Sequence, residues 1–130
     1  MNIQQLNETA RAAEKEYRTK IETLAEITKT ILENDIQKLL KENEELSSFR
    51  WIQYVPSFND GDECSFTISC EGWDYSCSYD DFEKKPYYQK CKEIENFITE
   101  HYDLMREAYD CYVDITITKD SVNISDYYDH

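Results

Sequence analysis

Glycine and proline are scarce in this 130-residue chain, two of each, which argues against a disordered, linker-like or low-complexity protein. There is accordingly no Gly-rich loop to cradle a phosphate. No apolar run reaches the roughly 18 residues that a membrane span needs. The opening Met1-Asn-Ile-Gln-Gln-Leu6 has neither the basic nor the apolar region of a secretory leader, so a cytoplasmic setting is expected. Five cysteines (Cys64, Cys70, Cys77, Cys91 and Cys111) are separated by five, six, 13 and 19 residues and include no C-x-x-C pair. That spacing gives tetrahedral zinc no support. Free thiols in reducing surroundings are expected, with no metal and no cofactor.

Basic residues are missing from one long stretch. The 33 residues from Trp51 to Glu83 hold no Lys or Arg yet carry eight acids: Asp60, Asp62, Glu63, Glu71, Asp74, Asp80, Asp81 and Glu83. The chain is formally −14, so this stretch supplies more than half of the imbalance. A folded surface of one sign repels nucleic acid and attracts basic protein surfaces. A basic protein partner is therefore expected, and direct nucleic-acid binding is not. Plain solubility is the competing explanation for the charge.

What is present suggests an α+β fold. Eleven Tyr, five Phe and two Trp supply bulk for a compact core. Residues 2–46 read as one long helix, with Leu6, Ala10, Ala13, Tyr17, Ile21, Leu24, Ile27 and Ile31 in steps of three and four. The stripe then moves to Leu32, Ile36, Leu39, Leu40 and Leu46, and Asn34-Asp35 is the expected break point if there is one. A rod of that length spans roughly 65 Å, more than a body of about 25–30 Å made from the remaining residues can cover. Two arrangements answer this: a coiled-coil homodimer through residues 1–46, or a helical hairpin folded back on the sheet.

From Phe49 the period changes to two. Strands are expected at Phe49–Val55, at Cys64–Cys70 after an Asn59-Asp60-Gly61 turn, and at Trp73–Tyr79 after Glu71-Gly72. A second helix is expected from Pro86 to Ala108, with His101 on its apolar face. A last hairpin runs from Tyr112 to Thr118 and returns at Val122 and Ile124. The expected organisation is a helical arm, 1–46, followed by an acidic domain, 47–130. Its four or five antiparallel strands have one further helix packed on them.

No catalytic constellation is legible, and the chain is not expected to be an enzyme. His101 reads as a packed residue and His130 is terminal. Asn59-Asp60-Gly61-Asp62-Glu63 fails as a calcium loop, because with Gly61 at the sharp turn the first ligand position falls on Pro56. A metal-dependent hydrolase using that cluster is the remaining enzyme-class alternative. The stronger candidates are protein contacts: Asp60, Asp62, Glu63, Asp74, Asp80, Asp81 and Glu83 for charge, with Tyr79, Tyr87 and Tyr88 for contact area. On one strand face, alternate side chains repeat at about 6.6–6.8 Å, near the spacing of successive phosphates in a nucleic acid. Asp60 with Asp62, and Asp74 with Asp80, are the pairs expected to form such rows.

The run Trp51-Ile-Gln53-Tyr54-Val-Pro56-Ser-Phe58-Asn59-Asp60-Gly61-Asp62-Glu-Cys64-Ser-Phe66 resembles a box in a family of small, mostly uncharacterised phage and prophage proteins, W-x-Q-Y-x-P-Y-F-N-D-G-D-x-C-x-F. Thr118-Lys119-Asp120-Ser121 and the final Tyr128-Asp129-His130 also match that family's ending, a basic-Asp-Gly turn and Tyr-Asp-His. Ser57 and Ser121 depart from the pattern, and the long first helix lies outside it. The resemblance implies a phage origin and no mechanism. Expected from it are a host-cell cytoplasm, a host protein as partner and its inhibition as the outcome, by counter-defence or host takeover. The alternative is a structural or assembly protein that oligomerises through its first helix.

Overall fold

A computed structural model describes residues 2–56 and 65–127. Its elements are α1 (Ile3–Glu42), β1 (Leu46–Tyr54), β2 (Thr67–Tyr75), α2 (Tyr79–Glu83), α3 (Tyr88–Glu100), α4 (Tyr102–Tyr109), β3 (Val113–Thr118) and β4 (Val122–Asp126). The strands form one antiparallel sheet in the order β2-β1-β3-β4, and the fold is α+β as expected.

α1 is 40 residues long and unbroken. A reciprocal cap starts it: the Gln5 backbone N–H donates to Asn2 Oδ1 at 2.9 Å, and the Asn2 N–H donates to Gln5 Oε1 at 3.0 Å. Neither the break at Asn34-Asp35 nor the helical hairpin exists. The stripe moves because the helix changes partner. Ala25, Thr28, Leu32, Ile36, Leu39 and Leu40 form a buried face against the body, while Leu24, Ile27 and Ile31 stay on an exposed one. The two are offset by roughly a third of a turn at 3.6 residues per turn. The few tenths of a kcal/mol that Asn and Asp lose in a helix are small beside this burial.

One sheet face carries the core. Phe49, Trp51 and Gln53 of β1 stand beside Ile117, Ile115 and Val113 of β3, and beside Trp73, Cys70 and Ile68 of β2. The buried side of α1 covers them with Cys91, Ile94 and Ile98 of α3 and Met105 and Tyr109 of α4. The core therefore crosses residue 46, and the C-terminal half of α1 belongs to the same packed unit as the sheet.

The two strands expected at Cys64–Cys70 and Trp73–Tyr79 differ from what is found. β2 is a single strand through Gly72, paired to β1 with a bulge: Trp51 faces Cys70, and Arg50 faces Gly72, so Glu71 is the extra residue. Gly72 has φ of 97°, which a glycine adopts without strain. The inserted residue reverses the parity of the strand. Ile68 and Cys70 before it and Trp73 after it all reach the core face.

Tyr79, the expected end of the third strand, instead opens a helix that runs to Glu83. Ser78 caps α2 by accepting the Asp81 N–H at 3.2 Å, and Asp80 and Asp81 in the first turn suit the helix dipole. The helix expected from Pro86 to Ala108 is two helices. They meet at His101 (φ −123°, ψ 57°), which is exposed rather than packed in the apolar face, its ring 4.6 Å from that of Phe97. The spacing hides this break, since Ile98 and Met105 are seven residues apart, as in two turns of a continuous helix.

Gln53 is the polar centre of the core. It is fully buried; its amide donates to the carbonyls of Met105 at 3.1 Å and Asp110 at 2.8 Å, and its oxygen accepts from Trp51 Nε1 at 3.0 Å. Asp110, at φ 77° and ψ 174°, holds a backbone conformation that side-chain-bearing residues seldom adopt, and Gln53 ties it there. Gln53→Leu keeps the volume but leaves the indole N–H and two carbonyls without partners. It is expected to lower stability by about 3 kcal/mol in urea unfolding; a change within 0.5 kcal/mol, roughly that of a surface substitution, contradicts the assignment.

Candidate interaction surfaces

The acidic edge begins where β2 ends. Asp74 is exposed, and Ser47 Oγ donates to its Oδ2 at 2.9 Å. Asp80, Asp81 and Glu83 are exposed on α2. The expected row of Asp74 with Asp80 does not form, because Asp80 lies on a helix and only Asp74 on a strand. Asp60, Asp62 and Glu63, with the turn and the metal alternative that rest on them, lie outside the described residues. Among the described residues no group of three metal-binding side chains comes together. Burial pushes the Cys70 and Cys91 thiols up to about 12, so neither is a thiolate at neutral pH.

The three tyrosines expected there have separate fates. Tyr79 is 55% exposed, and a hydrogen bond to Glu83 raises its hydroxyl pKa to about 12. Tyr88 is half-buried, its ring edge-on to Phe82 at 5.3 Å and under the Lys92 ammonium at 5.6 Å. Tyr87 is buried and offers no contact area; its hydroxyl donates to Glu45 Oε2 at 2.7 Å. The residue that positions this edge is Phe82, which sequence reasoning missed. Almost fully buried, it stacks on Tyr75 at 4.2 Å and also lies close to the rings of Tyr79, Tyr87 and Tyr88. Its one signal is that it is the single apolar residue in Tyr79–Glu83 without a polar group.

Glu45 joins this edge to the start of the sheet. It accepts from Lys85 Nζ at 2.9 Å as well as from Tyr87, and the two bonds hold its carboxyl below the usual range. Both partners move the other way: the Lys85 pKa is raised by its bond to Glu45, and Tyr87 is raised first by burial and then by that carboxylate. A carboxyl with a lowered folded pKa stabilises fully above its ordinary value, and the effect is lost as pH falls through the folded value. Glu45→Gln is therefore expected to flatten the loss of stability with acid below pH 4.5, the ordinary glutamate value. Denaturant unfolding across pH checks it, and an unchanged slope removes Glu45 as a contributor.

The second surface is on α1. Residues 2–20 are all exposed, including Ile3 (71%), Leu6 (51%) and Tyr17 (64%). Their stripe continues through Leu24, Ile27 and Ile31, each about half exposed. There it becomes one wall of a groove of about 290 Å³ whose other wall is Ile94 and Phe97 of α3, with Asp35, Lys90 and Glu93 also in its lining. Leu24, Ile27 and Ile31 were legible as part of the helical stripe; their partners across the groove were not. No helix among the described residues is long and apolar enough to cross a membrane.

Comparison of the chain with protein-family models, with curated proteins and with solved structures finds no match to any of them.

Proposed function

We propose that this chain is a non-enzymatic binding protein whose association element is the projecting part of α1. The observation that carries this reading is the arm itself: residues 2–20 keep a helical stripe of Ile3, Leu6, Ala10, Ala13 and Tyr17 that contributes nothing to the body's core. An isolated helix of that length is marginal in water, and an apolar stripe without a partner adds to the cost. A helix-binding role accounts for both. Removal of residues 2–20 is expected to leave the thermal midpoint of the rest within about 3 °C, because nothing of the core is lost. A fall of ten degrees or more assigns the arm to folding and ends the reading.

A second reading, for the head, is favoured by Tyr79: an exposed aromatic ring flanked on one short helix by Asp80, Asp81 and Glu83 suits a partner's Arg or Lys side chain. With the phage origin that the Trp51–Phe66 box implies, that partner would be a host protein and the outcome its inhibition. Charge mimicry of nucleic acid would then rest on the acidity of the head and on Asp60 with Asp62, since the strand row of Asp74 and Asp80 is absent. Tyr79→Ala is expected to leave stability unchanged and to lose, in low-salt pull-downs from host lysate, a basic protein that the unaltered chain retains. Equal retention by both chains argues against this edge.

A further inference from the structure

We propose that the occupant of the α1–α3 groove is the arm of a second copy of this chain, running antiparallel, so that two arms cross and each ends in the other's groove. This rests on the reading of α1 as an association element and names its partner.

The residue sizes along the stripe favour one pairing. In heptad terms Ile3, Ala10, Tyr17, Leu24 and Ile31 fall at one core position, and Leu6, Ala13, Lys20 and Ile27 at the other. Two copies side by side in the same direction would stack Ala10 on Ala10 and Ala13 on Ala13, leaving gaps, and Lys20 on Lys20, placing like charges together. Run in opposite directions about a two-fold axis near residues 18 and 19, the same stripe pairs small with large. Leu6 then meets Ile31, Ala10 meets Ile27, Ala13 meets Leu24, and Tyr17 lies over the aliphatic stem of Lys20. The contact is isologous, as a closed dimer requires.

Charge points the same way. Residues 2–20 hold four basic residues (Arg11, Lys15, Arg18 and Lys20) against three acids, while the remainder of the chain holds 25 acids against ten basic residues. An antiparallel pair lays this segment, net +1, along residues 17–35, which hold four acids against three basic residues, in a groove lined by Asp35, Glu93 and Lys90. A parallel pair sets two strongly acidic heads side by side. In the antiparallel pair the heads, each packed on residues 25–40 of its own α1, are about 40–45 Å apart along the axis and do not collide.

The groove supplies what a bare two-helix contact lacks. Ile94 and Phe97 of α3 add a third wall where Leu6 and Ala10 of the second arm arrive, beside Ile31 and Ile27. The end of each arm would therefore be enclosed on two sides rather than one.

Light scattering on the full chain over a range of concentrations, with a photo-reactive phenylalanine analogue in place of Leu6, tests the pairing. The expected result is a dimer whose cross-links from position 6 fall on residues 24–34 and 94–97 of the other copy. Ile27→Glu, at an exposed position that leaves the head's fold intact by circular dichroism, is expected to weaken the dimer about a hundredfold or more, since each substitution counts twice. A monomer at all concentrations overturns the proposal, as do cross-links from position 6 to residues 3–10, which mark a parallel pair. In either case the arm remains open to another helix, and its reading as an association element stands or falls on the truncated chain's stability.

Discussion

A helix of 40 residues is about 60 Å long, and the sheet beside it covers only the C-terminal half. That mismatch organises the molecule. Over residues 25–40 the helix is a core element, with Leu32, Ile36, Leu39 and Leu40 packed among sheet residues. Before Ile21 it is bare. Between the two it does both at once, burying Ala25 and Thr28 while presenting Leu24, Ile27 and Ile31. Residues 21–32 hold six apolar side chains, three threonines and three charges, which leaves room for both faces.

The head has a different organising contact. Gln53 satisfies one indole and two carbonyls within the core, joining β1 to the middle of α4 at Met105 and to Asp110 just beyond it. A buried amide with all of these partners met restricts how the layers can register, because any slip strands three polar groups. Trp51 and Gln53 are the opening residues of the Trp51–Phe66 box, and both are engaged in packing. Folding accounts for those two side chains.

The fold class, the long helix, the first and last strands and the sense of the sheet could be read from periodicity, because burial on one face leaves a repeat of two or of about 3.6. Three features escaped that signal for physical reasons. At Gly72 one inserted residue reversed the parity, so two halves of a strand looked like two strands. At His101 the core positions were spaced as in an unbroken helix, so the break had no signature. At Cys77 and Tyr79 alternation carried the expected strand past its end at Tyr75, while the Ser78 cap and the first-turn acids marked a helix. The surface was harder to read than the core. Exposure separated Tyr79 from Tyr87, two tyrosines indistinguishable by composition, and only the assembled structure set α3 across from Ile27 and Ile31.

Three polar contacts leave α1 within five residues and in different directions. Glu33 accepts from the Tyr109 hydroxyl at 2.6 Å, Asp35 meets Lys90 at 3.5 Å, and Gln37 donates to the Thr118 carbonyl at 3.3 Å. Together they act as a clamp on a lever. The free end at Ile3 lies roughly 48 Å from Asp35 at 1.5 Å per residue, so a tilt of about 5° at the clamp moves it by about 4 Å. Rotation matters as much, because a turn of the helix in its seat swings the whole exposed stripe by the same angle. The aim of the arm is thus set inside the head, by a tyrosine, a lysine and one strand carbonyl that never touch it.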